Sequence, residues 1–233
     1  MRNKLIASLF CLTALMAVTP AWAQFPTTPV LDTFTRANEN PLSDGGSWTC
    51  PYLSPLSLRV VSNQAVSQAT DDSGCFWNNS TFGPDVEVYV TVATLPPAGA
   101  SLVLTARQDT VSENGYAIFM CTSGSCDFGS TGWVIVRFDA GVPTSLGTNA
   151  GLISAGDSIE MLIKGSTITA LKETGGVWSS VFSVTDSTYS AAGSIGVNLE
   201  PNGGGFSAAL TNFGGGTVIV TPPSNLSALG VGD

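Results

Sequence analysis

The chain contains no histidine. Ser-His-Asp and Cys-His nucleophilic sites are therefore excluded, as are the usual histidine-ligated zinc hydrolases. Charge is scarce as well, with 8 basic and 17 acidic residues among 233. An acidic balance of this kind repels nucleic acid and anionic membrane surfaces, so a polyanionic partner would need bridging metal or a local basic patch. Neither Gly203-Gly204-Gly205 nor Gly214-Gly215-Gly216 is followed by the Gly-Lys-Ser/Thr that cradles a phosphate, and both read as turns or strand ends. No convincing amphipathic helical pattern occurs. Past residue 23 no stretch is long and apolar enough to span a bilayer.

What is present begins with Arg2 and Lys4 ahead of an unbroken apolar run over 5–18, closing on Ala21-Trp22-Ala23. The run is shorter than the roughly 20 residues of a spanning helix. With its small-residue close it reads as a secretory signal peptide over 1–23, the mature chain starting at Gln24. Loss of Arg2 and Lys4 leaves six basic residues against 17 acidic ones, a net charge of −11. Loss of Cys11 leaves four cysteines, an even number that predicts two disulfides in an exported protein. Three connectivities are open. The short reach from Cys121 to Cys126 favours a pinned loop there, which pairs Cys50 with Cys75. A zinc module is disfavoured, since the doubled Cys-x2-Cys spacing is missing.

The 26 glycines and 13 prolines, with recurrent Val, Thr and Ser, favour short strands and tight turns over helices. Alternation is clearest over 86–92, where valine takes every second place, predicting one buried face and one that meets water or a loop. Further strands are predicted over 58–61, 102–107, 116–121, 133–138, 158–163, 167–173, 194–199 and 206–213. Turn signals such as Gly83-Pro84, Asn114-Gly115, Gly165-Ser166 and Gly175-Gly176 separate them. The segments 159–164 and 167–172 around Gly165-Ser166 form the most legible hairpin. About a dozen strands in 210 exported residues describe an all-β, antiparallel two-sheet sandwich.

The order of these segments resembles a known family. Asp32-Thr33-Phe34-Thr35-Arg36-Ala37 followed by Leu42 and Trp48 is similar to the D-x-F-x-R-A entry of laminin-G-like, concanavalin-A-like jelly-roll domains of bacterial and phage surface proteins. Asn114-Gly115-Tyr116, Ala155-Gly156-Asp157-Ser158-Ile159 and Val184-Thr185-Asp186-Ser187-Thr188-Tyr189 continue the pattern, and Gly193-Ser194-Ile195-Gly196-Val197 with Asn212-Phe213 closes it. Thr211 stands where the family often has aspartate. The resemblance spans about 30–217 and implies a jelly roll over 24–217. The segment 218–233 then reads as a flexible tail or the linker to a missing module, Thr221-Pro222-Pro223-Ser224-Asn225-Leu226 being similar to the lead-in of a fibronectin type III module.

The family's architecture implies a ligand surface on a concave sheet face with a loop rim. By alternation Trp133, Ile135 and Arg137 share one side of a strand, as do Val103, Thr105 and Arg107. If those sides coincide, Arg107, Tyr116, Trp133 and Arg137 form a patch for stacking and hydrogen bonding to sugar. The competing reading pairs the arginines with Asp109, Asp139 or Glu160 and places the aromatics in the core. Trp77, beside Cys75, is read as core packing before ring stacking, and Trp48 and Trp178 likewise. Related sandwiches hold structural calcium, which implies Asp32 and Asn212 as candidate oxygen ligands.

Two catalytic readings were weighed. Asp85 and Glu87, two apart on one strand, have the spacing of a glycosidase pair, but position 89 is Tyr where a third acid is expected. Tyr116 with Arg107 could serve a polysaccharide lyase, although six basic residues make a uronate site unfavourable. Asn78, Asn79 and Asn225 fit the glycosylation acceptor pattern, which matters little in a bacterial host. The expectation is a secreted, extracellular, cell-surface or periplasmic, non-catalytic module that binds carbohydrate or another surface polymer, with no nucleic acid and no membrane insertion. The alternatives are a structural or adhesive part of an extracellular assembly, packed against copies of itself or neighbouring modules, and a hydrolase or lyase.

Overall fold

The computed structural model describes residues 25–68, 71–124, 127–129, 131–201 and 208–219. The segment read as a signal peptide, Cys126, Asn225, the triplet at 203–205 and the residues beyond 219 lie outside them. In chain order the strands are β1 (Val30–Asp32), β2 (Trp48–Thr49), β3 (Arg59–Val61), β4 (Gln64–Val66), β5 (Ser73–Trp77), β6 (Val86–Thr94), β7 (Ser101–Asp109) and β8 (Asn114–Cys121). They continue as β9 (Gly132–Asp139), β10 (Val142–Asn149), β11 (Ser158–Lys164), β12 (Thr167–Thr174), β13 (Val177–Thr185), β14 (Ser194–Glu200) and β15 (Ala209–Thr217). Two short 3-10 turns, Asp44–Gly46 and Asp127–Gly129, are the helical elements among the described residues.

The strands form two antiparallel sheets. The first runs β13-β12-β11-β6-β15-β4-β3, with β1 on β15; the second runs β10-β9-β8-β7-β14-β5-β2. Sequence neighbours such as β6 and β7 lie in opposite sheets, so the chain repeatedly crosses between layers. Period-two patterning explains the interior. Val86, Val88, Val90 and Val92 of β6 face Leu102, Leu104 and Ala106 of β7, Ile118 and Met120 of β8, and Ile195, Val197 and Leu199 of β14 in one continuous core. Burying a side chain of this size contributes about 1.5–3 kcal/mol. The β11–β12 hairpin closes through Lys164 opposite Thr167, with Gly165 at φ 56° supplying the left-handed position of its two-residue turn.

The entry motif acts as an anchor. The Asp32 carboxylate accepts from the Phe34 amide at 2.6 Å, from both Arg36 Nη atoms at 2.7 and 3.0 Å, and from Trp48 Nε1 at 2.8 Å. Trp48 in turn packs on Phe213, 4.7 Å between ring centroids, and edge-on to Trp77 at 5.3 Å. Trp77 is thus core, as expected. Cys50 and Cys75 are bonded, joining the end of β2 to β5. A cross-link closing a loop of that size contributes about 3 kcal/mol. Cys121 is also disulfide-bonded.

The second face of β6 meets a loop: Glu87 is 0% and Tyr89 5% exposed, because residues 25–29 lie across it. Three expectations are corrected. Asn114 and Gly115 belong to β8, the turn having moved to 110–113. Gly214, Gly215 and Gly216 lie within β15, where a side chain would collide with Tyr89, the Glu87 backbone or Thr28. Finally, β10 and β13, the exposed outermost strands of their sheets, escaped the alternation test. Their pairing is made by backbone groups and needs no apolar face.

Candidate functional site

One rim of the sandwich gathers polar side chains from both sheets. Arg107 is its centre. The β7–β8 register shifts between Ala106 and Asp109, and Arg107 adopts φ 50°. A bulge of this kind reverses side-chain parity. Arg107 therefore parts from Val103 and Thr105 and reaches towards the opposite sheet. Its Nε donates to the Pro84 carbonyl at 2.7 Å, Nη1 to the Tyr189 carbonyl and Nη2 to the Gly165 carbonyl, both at 2.9 Å. The side chain is 1% exposed, with the Asp85 carboxylate 3.9 Å away. Burial pulls its pKa below the usual guanidinium value, partly offset by Tyr116 and Asp85.

Tyr116, Ala106 and Arg137 stand in one cross-strand row on β8, β7 and β9. Tyr116 is fully buried; its hydroxyl donates to Asp186 Oδ1 at 2.6 Å and accepts from the Tyr189 amide at 3.0 Å. Burial and the Asp186 carboxylate push the phenol up to about 12. Arg137 donates through Nη1 to Asp186 Oδ2 at 2.8 Å and through Nε to Asp139 at 3.0 Å. Although burial works against it, Asp186 is held down at about 2 by hydrogen bonds from Tyr116, Thr188 and Arg137. The Tyr189 hydroxyl donates to Asp139 at 2.7 Å, and its ring meets Tyr116 edge-on, 5.9 Å between centroids. The two arginines and their acids form a network whose charges are largely spent internally.

Beside this network lies an open recess of about 280 Å³, lined by Arg107, Asp109, Asn114 and residues 188–192. Thr188 and Ser190 are exposed at its mouth. Three of the four residues expected at a ligand patch, Arg107, Tyr116 and Arg137, thus meet around this rim, and the fourth does not. Trp133 is 0% exposed in the core between the sheets, four residues back along β9, so it offers no face to a ligand. Tyr116 and Arg107 are the framework of the recess, with their polar atoms already engaged. Asp186 and Tyr189, the partners that organise the rim, lie in the Val184–Tyr189 motif that carried the family resemblance.

The other candidates are placed elsewhere. Glu87 Oε1 accepts from Thr27 Oγ1 at 3.0 Å and the Thr28 amide at 2.5 Å on the covered face of the first sheet, while Asp85 holds the Gly165 amide at 2.8 Å. Neither carboxylate lines the recess. The buried phenol of Tyr116 is likewise unsuited to a lyase base. Asp32 pairs with Phe213, next to Asn212, so the first and last described strands do adjoin. Its oxygens, however, are filled by Arg36, Trp48 and Phe34, which removes it as a calcium ligand. Among the described residues no three Asp, Glu, Cys or His side chains gather in metal-ligating geometry.

Neither a family model nor a curated protein matches the sequence. Solved structures do match the fold. The carbohydrate binding module CBM66 from Bacillus subtilis is 16% identical with a TM-score of 0.54, covering 76% of this chain and 97% of its own. The exoplasmic/lumenal domain of VIP36, in its Ca2+/Man3GlcNAc-bound form, is 10% identical at a TM-score of 0.61, over 84% and 90%. The Bacillus licheniformis GH43 protein BlXynB is 14% identical at 0.53, with only 38% of its length covered. The chain thus shares with them an all-β fold of two antiparallel sheets packed as a jelly-roll sandwich.

Proposed function

We propose that this protein is a secreted, non-catalytic, laminin-G-like module whose rim recess binds a neutral saccharide. The observation that carries the reading is the recess itself. Arg137 is fully engaged by Asp139 and Asp186, and the surface beside them presents the Thr188 and Ser190 hydroxyls, the Asp109 carboxylate and the Asn114 amide hydrogen not given to Ser112, groups that pair with sugar hydroxyls. An anionic sugar would meet the Asp109 carboxylate and a mature net charge of −11. The leader-like amino terminus and the Cys50–Cys75 bond support an oxidising, extracellular setting. The fold shared with the carbohydrate binding module CBM66 and with the Man3GlcNAc-bound domain of VIP36 supports this reading, on fold analogy alone.

A glycan array with the exported chain tests it. Binding of uncharged glycans, lost in Ser190→Trp and weakened about tenfold in Asn114→Ala by removal of one hydrogen bond, is the expected result. Ser190 is exposed, so the bulky residue fills the recess without disturbing the core. Silence on neutral glycans, or binding untouched by Ser190→Trp, would move the ligand elsewhere.

A further inference from the structure

The covered face of the first sheet holds two glutamates with no basic partner in hydrogen-bond contact. Glu87 on β6 and Glu160 on β11 are both 0% exposed, on strands that pair directly, Glu160 opposite Tyr89 and Leu162 opposite Glu87. The two side chains are therefore diagonal neighbours on one face of paired strands, within reach of each other. Glu87 Oε2 and both Glu160 oxygens find no donor. Over them runs the strap of residues 25–29, fixed by Thr27 and Thr28 on Glu87 Oε1 and by the Tyr89 hydroxyl donating to the Thr28 carbonyl at 3.0 Å. Phe25 packs with Trp178 on Leu162, Leu171 and Val218, and Lys164 Nζ lies 5.9 Å from the Phe25 ring centroid.

We propose that Glu87 and Glu160 share one proton as a buried carboxyl pair that clamps the amino-terminal strap onto the sandwich, and that the strap lifts when this proton leaves. Two ionised carboxylates side by side in a dry site cannot both persist. A single proton between them turns repulsion into a short, strong hydrogen bond. The charged and titratable groups facing the pair are few: Tyr89 on β6 and Lys164 at the end of β11, with Leu171 opposite on β12, the glycines of β15 alongside, and no ionisable side chain on the strap. When both acids ionise, water must enter. The element that yields most easily is a five-residue strap at a chain end, outside the strand ladders.

The direction with pH follows. Burial, then the neighbouring Glu87, raises Glu160 to about 9 in the folded chain. A carboxyl with a raised folded pKa contributes stability that is complete below its unfolded value near 4.5 and is lost as pH rises towards 9. Protection of the Thr28 amide, measured by hydrogen exchange and corrected for the intrinsic rate, is expected to be greatest below about pH 4.5 and to decline from there as pH rises. The fall should reach at least tenfold by pH 10, one pKa unit corresponding to a tenfold change. In Glu160→Gln the protection should stay flat to pH 10. Glu87→Gln retains Oε1 for Thr27 and Thr28 and removes the neighbouring charge while Glu160 stays buried, so its protection should fall less steeply than the wild type's, giving an independent test if the first variant folds poorly. A wild-type profile that does not fall, or variants that fall as steeply, would overturn the clamp. So would loss of wild-type protection on adding EDTA at pH 7, since a cation and not a proton would then bridge the acids.

Discussion

Arg107→Met is expected to lower the stability of the fold by about 3–5 kcal/mol and to abolish ligand binding at the rim, the range found when one partner of a buried ionic network is removed. The methionine fills most of the volume but donates nothing. The carbonyls of Pro84, Gly165 and Tyr189, which come from three separate connections, then lose their common donor. Each bond to a charged group is worth about 1.5–3 kcal/mol, and partial hydration of the freed carbonyls keeps the total below their sum. A midpoint lower by about 10 °C should accompany the loss. Arg107→Lys should recover only part of it, since one ammonium cannot span three divergent acceptors. The loss of binding follows because the Tyr189 carbonyl is the tie that holds the recess wall against β7. Urea denaturation and glycan binding on the same samples check both parts; a loss under 1 kcal/mol would mean that the three connections hold their shape without the guanidinium.

Asp32→Ala is expected to be of similar size, about 3–5 kcal/mol, for a different reason. The carboxylate is 5% exposed and serves four donors at once. Its removal leaves the Trp48 indole and the Phe34 amide without acceptors inside the core. Arg36 keeps Glu39, 2.7 Å away, which limits the damage to its own charge. Asp32→Asn retains one acceptor oxygen and should fall between the two. Denaturant titration followed in the near-ultraviolet circular dichroism band of the Trp48 cluster separates a loosened anchor from global unfolding; an unchanged midpoint would show the motif to be dispensable.

Most of the sandwich was legible because its centre obeys a simple period. Val86 to Val92, Ile159 to Ile163 and Ile195 to Leu199 alternate as buried strands must, and the turn at Gly165-Ser166 is local chemistry. The rim was legible in its members but not in its geometry. Alternation carries no information about a bulge, so it placed Arg107 with Val103 and Thr105 when the register break turns it the other way. Alternation put Arg137 on the same side of β9 as Trp133 and Ile135, yet could not say that the strand end reaches the surface there while Trp133 stays inside. The pairing of Arg137 with Asp186 spans 49 residues. No spacing rule anticipates it. The outermost strands β10 and β13 failed for the opposite reason: with little to bury, they leave no apolar signature.

Residues 214–216 of β15 draw a last consequence from the seat of the strap. Tyr89 lies against the backbone there, where Gly214 has no side chain, and Thr28 lies against Gly216. Any larger residue at 214 would evict the tyrosine ring, and with it the hydroxyl that ties down Thr28. The triplet therefore serves as a hallmark by which relatives can be sorted: homologues that keep it are expected to fold the residues equivalent to 25–29 back over the sheet, and those that lose it should leave that face uncovered and carry no acid at position 160.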